Sequence, residues 1–498
     1  MDASGLTPLF ALLAPVLGAF GVVILRRHPP ARELCGVVAG IAQIGLLATM
    51  VPAVRDGGTV SLTLSTFLPE VSIALRADAL GIVLAGTAAI LWVLTTFYAM
   101  GYFGTAADPA VTRFHAFLCL TMSATVGVAF SANLITLFLF YEVMTVITYP
   151  LVTHTGTPEA IQAGRRYLAY QLGAAIAFLL PAIVLTYIQA GTFDFIPGGI
   201  FGPDTNGTLL VIIYLLYLLG IAKAALMPVH SWLPAAMVAP VPVSALLHAV
   251  AVVNVGVFCV FRVVLDVYGS DLAGELGLGI LTLVVTSVTI LVASLYALRL
   301  DSLKGILAYS TIGQLSYMML GVALLSPGGR TGAILHLVGH SFSKITLFFA
   351  VGSIYLATHR TLATELRGIG RQLPWTMAAF GVGAISIIGL PPTVGFIAKY
   401  FLFIGAVEAG QWAALAVLSV STLLSAAYYL RMLRSALFDA PLMVPAGASG
   451  DTAGLMRTPT VREPGALVLG PMLVTAAITV LLGLAPGVLL DLIRVAAG

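Results

Sequence analysis

The chain has 498 residues, 60% of them hydrophobic and only 9% charged, with a mean hydropathy of +1.06; soluble domains carry about a quarter charged residues, so this surface needs lipid as its solvent. A net charge of +3, with no basic run longer than a pair such as Arg26-Arg27, gives no footprint for nucleic acid. Cys35, Cys119 and Cys259 lie far apart with no C-x-x-C pair, which encodes neither a disulfide framework nor a metal site.

The N-terminus, Met-Asp-Ala-Ser-Gly, lacks the positive segment of a signal peptide, so the first apolar stretch is expected to remain as a spanning helix. Apolar runs long enough to cross a hydrocarbon core of about 30 Å fall near 6–25, 34–54, 79–101, 112–130, 132–153, 165–190, 208–228, 243–267, 273–298, 303–325, 331–357, 375–406, 411–436 and 465–490. They are continuously apolar rather than alternating, which favours helices over a β-barrel. The expectation is an all-α membrane protein of about 14 transmembrane helices, forming a single domain over 1–498 with a polar cytoplasmic loop at 439–464. Arg26, Arg27, Arg32, Arg113, Arg165, Arg166, Arg299, Lys304, Arg360, Arg367, Arg371, Arg431, Arg434, Arg457 and Arg462 all fall on one side of such a bundle. The other side holds few basic residues (Arg55, Arg76, Arg330, Arg494 and Arg262) and the acids Asp194, Asp204, Asp271 and Glu275. By the positive-inside rule both termini face away from the cytoplasm of an inner-membrane protein.

Two spans carry internal breaks five spans apart. The seventh runs into Met227-Pro228 and the twelfth contains Gly389-Leu390-Pro391-Pro392, and each holds a lysine, Lys223 or Lys399. Paired broken helices in corresponding halves point to a transport repeat.

Ionisable residues inside spans are costly and usually face a partner or a wet cavity. Glu142 sits near the middle of LFLFYEVMTVITYPL, with Lys223, in LLGIAKAALMPVHSWLP, as its candidate cation. Burial favours the neutral form of a lysine and a nearby carboxylate favours the charged form, so moving one relative to the other loads or releases a proton. A static buried salt bridge is the simpler alternative. His248 opens the eighth span as either a proton relay or a satisfied core histidine. His336, His340 and Lys344 in HLVGHSFSKITLFF repeat every four residues and share one helical face. Histidines at that spacing can bind zinc, but no third ligand lies near, so a hydrated polar stripe is the expectation and no metal is. Lys304, in DSLKGILAYSTIGQLSYMML, is either part of this stripe or an interfacial lysine whose ammonium reaches water. Lys399 lies well inside its span. No motif for catalysis, nucleotide or redox-cofactor binding is present, so the chain is expected to be an ion-transport subunit without cofactors, not an enzyme. With Glu142 almost alone as a mid-membrane carboxylate, a sodium cage is hard to build, and the proton is the expected ion.

YEVMTVITYPLVTHTGTPEA, GIAKAALMPVHSWLPAAMVAPVPVSALLHAV, KGILAYSTIGQLSYMMLG, HLVGHSFSKITLFFAVGSI and GLPPTVGFIAKYF resemble the signature stretches of the antiporter-like membrane subunits. That family includes the large membrane-arm subunits of respiratory complex I, Mrp-type multisubunit Na+/H+ antiporter subunits and equivalents in membrane-bound hydrogenases. The resemblance covers about 80–430 and is greatest to the D-type subunits of Mrp antiporters. It implies two inverted five-helix repeats, about spans 4–8 and 9–13, with broken helices 7 and 12. It also implies that Glu142, Lys223 and Lys399 match the family's glutamate of helix five and lysines of helices seven and twelve, with His248 and Lys344 on its central hydrated axis. One departure stands out: where many relatives carry a lysine in span eight, this chain has Asn254, which can order water but cannot hold a proton.

Three functions follow as expectations. The first is a proton-translocating subunit of a cation/proton antiporter, assembled with other membrane subunits and exchanging protons against an ion such as Na+. The second is the same fold in a redox-driven pump, and the third, supported by Asn254, is a non-conducting scaffold.

Overall fold

The computed structural model describes residues 3–68, 71–104, 108–203, 205–441, 444–445, 456–457 and 461–497. Asp204 and most of the expected 439–464 loop lie outside them. Twelve helices among the described residues are long and apolar enough to cross a membrane. In chain order they begin with α1 (Thr7–Ile24), α2 (Pro29–Arg55), α3 (Ala79–Phe103), α4 (Pro109–Ala129), α5 (Leu134–Val152) and α6 (Pro158–Ala190). A shorter apolar helix, α7 (Gly207–Gly220), precedes α8 (Val241–Tyr268), α9 (Leu278–Arg299), α10 (Leu303–Ala323) and α11 (Pro327–Thr358). Two short helices, α12 (Pro374–Ile388) and α13 (Val394–Glu408), occupy the twelfth expected span, followed by α14 (Trp412–Phe438), α15 (Ala466–Leu484) and a final α16 (Gly487–Ala497). The two expected spans missing from the twelve are those the sequence interrupts.

Helix starts are written into the loops. A helix leaves its first N–H groups without intrahelical partners, and a short polar side chain supplies an acceptor. Asp78 accepts from Gly81 N (2.9 Å), Asp108 from Ala110 N (2.7 Å) and Asn133 from Thr136 N (2.8 Å), fixing the entries to α3, α4 and α5. Asn206, Ser302 and Ser326 do the same for α7, α10 and α11. Between α2 and α3 the alternating pattern of SLTLSTF and SIALRA forms a hairpin, an addition to the all-helical expectation. Its strands β1 (Val60–Leu68) and β2 (Val71–Ala77) pair antiparallel from Val60↔Ala77 to Leu68↔Val71. Asn133 Nδ2 donates to Ser72 O (2.9 Å), docking the hairpin on the start of α5.

The centre is formed by α8 and α11, whose spanning windows are wholly buried, whereas only a third of each window is buried in α6, α14 and α15. At one end of α8, Arg262 is buried rather than in a loop. Its Nη1 lies 2.7 Å from Asp78 Oδ2 and 2.8 Å from Asp266 Oδ2, while its Nη2 donates to Asp78 Oδ1 at 2.7 Å. Arg76 adds a longer contact to Asp78 (3.6 Å) and donates to Phe195 O (2.7 Å). Removing one partner from such a network strands its buried counter-charges, at a cost of about 3–5 kcal/mol. Arg262→Leu is therefore expected to lower the thermal midpoint of the purified protein or its level in membranes. A variant as stable as the parent would show the cluster to be dispensable.

Candidate functional site

The first break follows α7. The helix ends at Gly220, and Lys223 sits in a single 3₁₀ turn, Ala222–Ala224, followed by Ala225 in the left-handed region at φ 53°. The sequence placed this break at Met227-Pro228; tertiary bonds bring it forward. Trp232 Nε1 donates to Ala222 O (3.0 Å), and Lys223 N donates to Tyr141 OH (3.2 Å), so backbone groups freed by the unwinding are taken up by side chains. The Lys223 ammonium is fully buried and donates to Tyr141 O (3.0 Å) and Thr145 Oγ1 (2.6 Å) on α5, 3.2 Å from the centre of the Tyr141 ring. On the other side Gly256 of α8 lets the unwound strand approach: a Cβ there would overlap Ala224 N and the carbonyl carbon of Lys223. Because those atoms are backbone, Gly256→Ala must displace the lysine segment. It is expected to cost about 1–3 kcal/mol in overpacking and to reduce transport with Lys223 itself intact; unchanged transport would show that this segment tolerates movement.

The second break repeats the device. Between α12 and α13, Gly389 turns the chain at φ 92°. Lys399, buried on α13, donates back to Ile388 O (2.9 Å), the frayed end of α12, and to Thr422 Oγ1 (3.1 Å) on α14. Its ammonium lies 4.9 Å from the centre of the Tyr317 ring.

Between the breaks runs the stripe on α11. Lys344, fully buried, donates to Ser310 Oγ (2.7 Å), Leu307 O (3.2 Å) and Tyr429 OH (3.3 Å). His336 Nε2 meets Gln314 Oε1 at 2.9 Å. His340, whose ring centre is 6.2 Å from that of His336, has no hydrogen-bond partner on either nitrogen among the described residues, and neither does His248 on α8. Asn254 Nδ2 donates to Ala249 O (2.8 Å) and Ser341 Oγ (2.7 Å), tying α8 to α11. The polar line therefore runs in space from Lys223, past Gly256 and Asn254, across to Ser341, His340 and His336, and over Tyr317 to Lys399. Lys304 stands at the edge of this line, half-buried, donating to Ala239 O (2.7 Å) and Met237 O (3.2 Å) at the end of a short helical turn.

Glu142 departs from the expected pairing. Among the described residues no ion pair within 4.0 Å joins it to Lys223, and both its carboxylate oxygens lack a hydrogen-bond partner. Lys223, Lys344 and Lys399 share one cradle, a backbone carbonyl plus a hydroxyl, with no carboxylate in contact among the described residues. The hydroxyl partners Thr145, Thr422 and Tyr429 carry no charge and sit in otherwise ordinary spans, and nothing in the sequence singled them out.

Residues 131–425 match the family model for the transmembrane region of NADH:quinone oxidoreductase and Mrp antiporter proteins. The chain belongs to this family. This antiporter-like membrane subunit is 33% identical over 328 residues to the NADH-quinone oxidoreductase subunit N of Desulforudis audaxviator, covering 65% of the chain and 64% of that protein. It is 31% identical over 407 residues to subunit L of the same enzyme from Mycobacterium tuberculosis, covering 77% and 61%. The chain thus spans under two thirds of the length of these curated relatives. Among solved structures, a chain of the Mrp complex from Dietzia sp. superposes with a TM-score of 0.88 at 25% identity, over 100% of this antiporter-like subunit and 97% of that chain. A chain of an archaeal membrane-bound sulfane sulfur reductase (0.84, 22% identity, 98% and 96% covered) and one of complex I from Thermus thermophilus (0.75, 21%, 96% and 98%) share the fold.

Proposed function

We propose that this multi-pass membrane protein is a proton-translocating subunit of a multisubunit monovalent cation/proton antiporter. The observation that carries the reading is the common cradle of Lys223, Lys344 and Lys399: buried, held by neutral acceptors and, among the described residues, free of carboxylate contacts. A buried ammonium locked to a carboxylate is a structural element; one held by carbonyl and hydroxyl oxygens exchanges its proton when a nearby charge moves. Glu142, with no hydrogen-bond partner among the described residues, supplies that charge beside Lys223. Buried polar atoms without protein partners are where ordered water sits, and the nitrogens of His248 and His340 with Asn254 Oδ1 mark such positions between the lysines. In this mechanism a proton loads on Lys223 under the control of Glu142. It crosses by way of His248, His340, His336 and Lys344, and leaves from Lys399. Lys304 lies at the end of the path on the basic side, which the distribution of arginines assigns to the cytoplasm, with both termini opposite. The whole chain acts as one domain within the inner membrane, its two five-helix repeats completing fourteen crossings, and its partners are further membrane subunits, through which Na+ moves.

The superposition on the Mrp-complex chain, at a TM-score of 0.88 and 25% identity, is better than those on the sulfane sulfur reductase chain (0.84, 22%) and the complex I chain (0.75, 21%), which favours antiport over redox-driven pumping. The test is the purified native complex in proteoliposomes carrying a lumenal pH dye. A Na+ or K+ gradient alone is expected to drive a pH change. A pH change that requires a reduced electron donor would replace this reading with the redox-driven one.

A further inference from the structure

A cleft of about 460 Å³ opens where α9 and α14 end at the same face of the bundle, lined by Arg299, Asp301, Thr364, Arg431, Arg434 and Asp439. Its three arginines face two aspartates, and the donors outnumber the acceptors. Of its two acids, Asp301 is already engaged, Oδ1 accepting from Thr364 N (3.0 Å) and Oδ2 from Thr364 Oγ1 (2.7 Å). The three arginines are exposed, and among the described residues none forms an ion pair within 4.0 Å; Arg431 makes only a long bond to Leu300 O (3.4 Å). The two carboxylates and the partial negative charge at the ends of α9 and α14 balance the three guanidiniums to about neutrality, so what the cleft offers an anion is guanidinium donors without an ion partner among the described residues. Away from the cleft the same two helices present apolar stripes at helical spacing: Val284, Val288 and Leu295 on α9, and Leu423, Leu430 and Leu437 on α14, all more than 40% exposed. The helices touch through Ser294 and Ser421 (3.0 Å).

We infer that this cleft binds the headgroup of an anionic phospholipid, with its acyl chains lying along the apolar stripes of α9 and α14. A planar guanidinium presents paired donors that match phosphate oxygens, and basic pockets between membrane helices at the bilayer boundary are suited to such headgroups. The apolar track separates a lipid from free phosphate, since only the lipid uses both parts of the site. Neither Arg431 nor Arg434 belongs to the lysine axis, so the site is independent of the transport mechanism.

The test is native mass spectrometry of the purified complex, titrated with dioleoylphosphatidylglycerol and with dioleoylphosphatidylcholine. The expected result is preferential retention of the anionic lipid, reduced about tenfold, or ~1.4 kcal/mol, in Arg431→Gln/Arg434→Gln. If that pair fails to assemble, the exposed single variant Arg434→Gln is read the same way, with a several-fold loss expected. Equal retention of both lipids, or an unchanged preference in the variants, would overturn the inference. So would displacement of the lipid by inorganic phosphate at equal concentration, or crosslinking of Arg434→Cys to another subunit, which would make the cleft a protein interface.

Discussion

Lys223→Met and Lys399→Met are each expected to bring cation-driven proton transport by the assembled complex down by roughly a hundredfold, about 2.7 kcal/mol in barrier terms, while leaving the complex intact. The separation of the two effects comes from the cradles. Neither ammonium has a carboxylate in contact among the described residues, so methionine, of similar length, breaks no ion pair and leaves a carbonyl and a hydroxyl to rearrange; at Lys223 it also leaves Glu142 without its neighbouring cation, which the carboxyl answers by holding a proton and staying neutral. Lys223→Arg sharpens the result. Arginine keeps the positive charge and cannot give up its proton in a protein, so a structural role tolerates it and a proton-exchange role does not. Transport at half the parental rate or better in both methionine variants, with matched levels of complex in the vesicles, would remove these lysines from the pathway.

What the sequence made legible and what it hid divide along a physical line. Long apolar runs, polar caps and the rare charges inside spans are local features, so Glu142, Lys223, Lys344 and Lys399 stand out in the bare chain, as do the two interrupted segments. The place where α7 unwinds is not local. Unwinding at Ile221 instead of near Met227-Pro228 depends on Trp232 reaching Ala222 and Tyr141 reaching Lys223 N, contacts over 10 and 82 residues of chain. The hairpin at Val60–Ala77 is hidden for a different reason: its alternation is brief and lies between long hydrophobic helices. Arg262 falls at the edge of a predicted span, and only the meeting of α3 and α8 reveals that it bonds Asp78 across 184 residues. The hydroxyls of Thr145, Thr422 and Tyr429 are common side chains in apolar helices, and their importance is a matter of position alone.

Asn254→Leu is the change that tests how the proton crosses the middle. Asparagine and leucine have the same heavy-atom branching, so the substitution fills the site without overpacking and removes only polarity. It deletes the bonds to Ala249 O and Ser341 Oγ, and Ser341 keeps its bond to Leu337 O (2.6 Å). Each lost bond is worth about 0.5–1.5 kcal/mol net, partly returned by apolar burial, so folding survives. In the proposed pathway this fully buried amide orders water between α8 and α11, and the leucine variant loses that water. Proton movement is therefore expected to fall at least about tenfold, ~1.4 kcal/mol, while Asn254→Ser, which keeps a donor and an acceptor in the corridor, retains most of it. If the leucine variant transports at the parental rate, protons do not pass between α8 and α11. The buried lysines are then the framework of a scaffold whose partner subunits do the conducting.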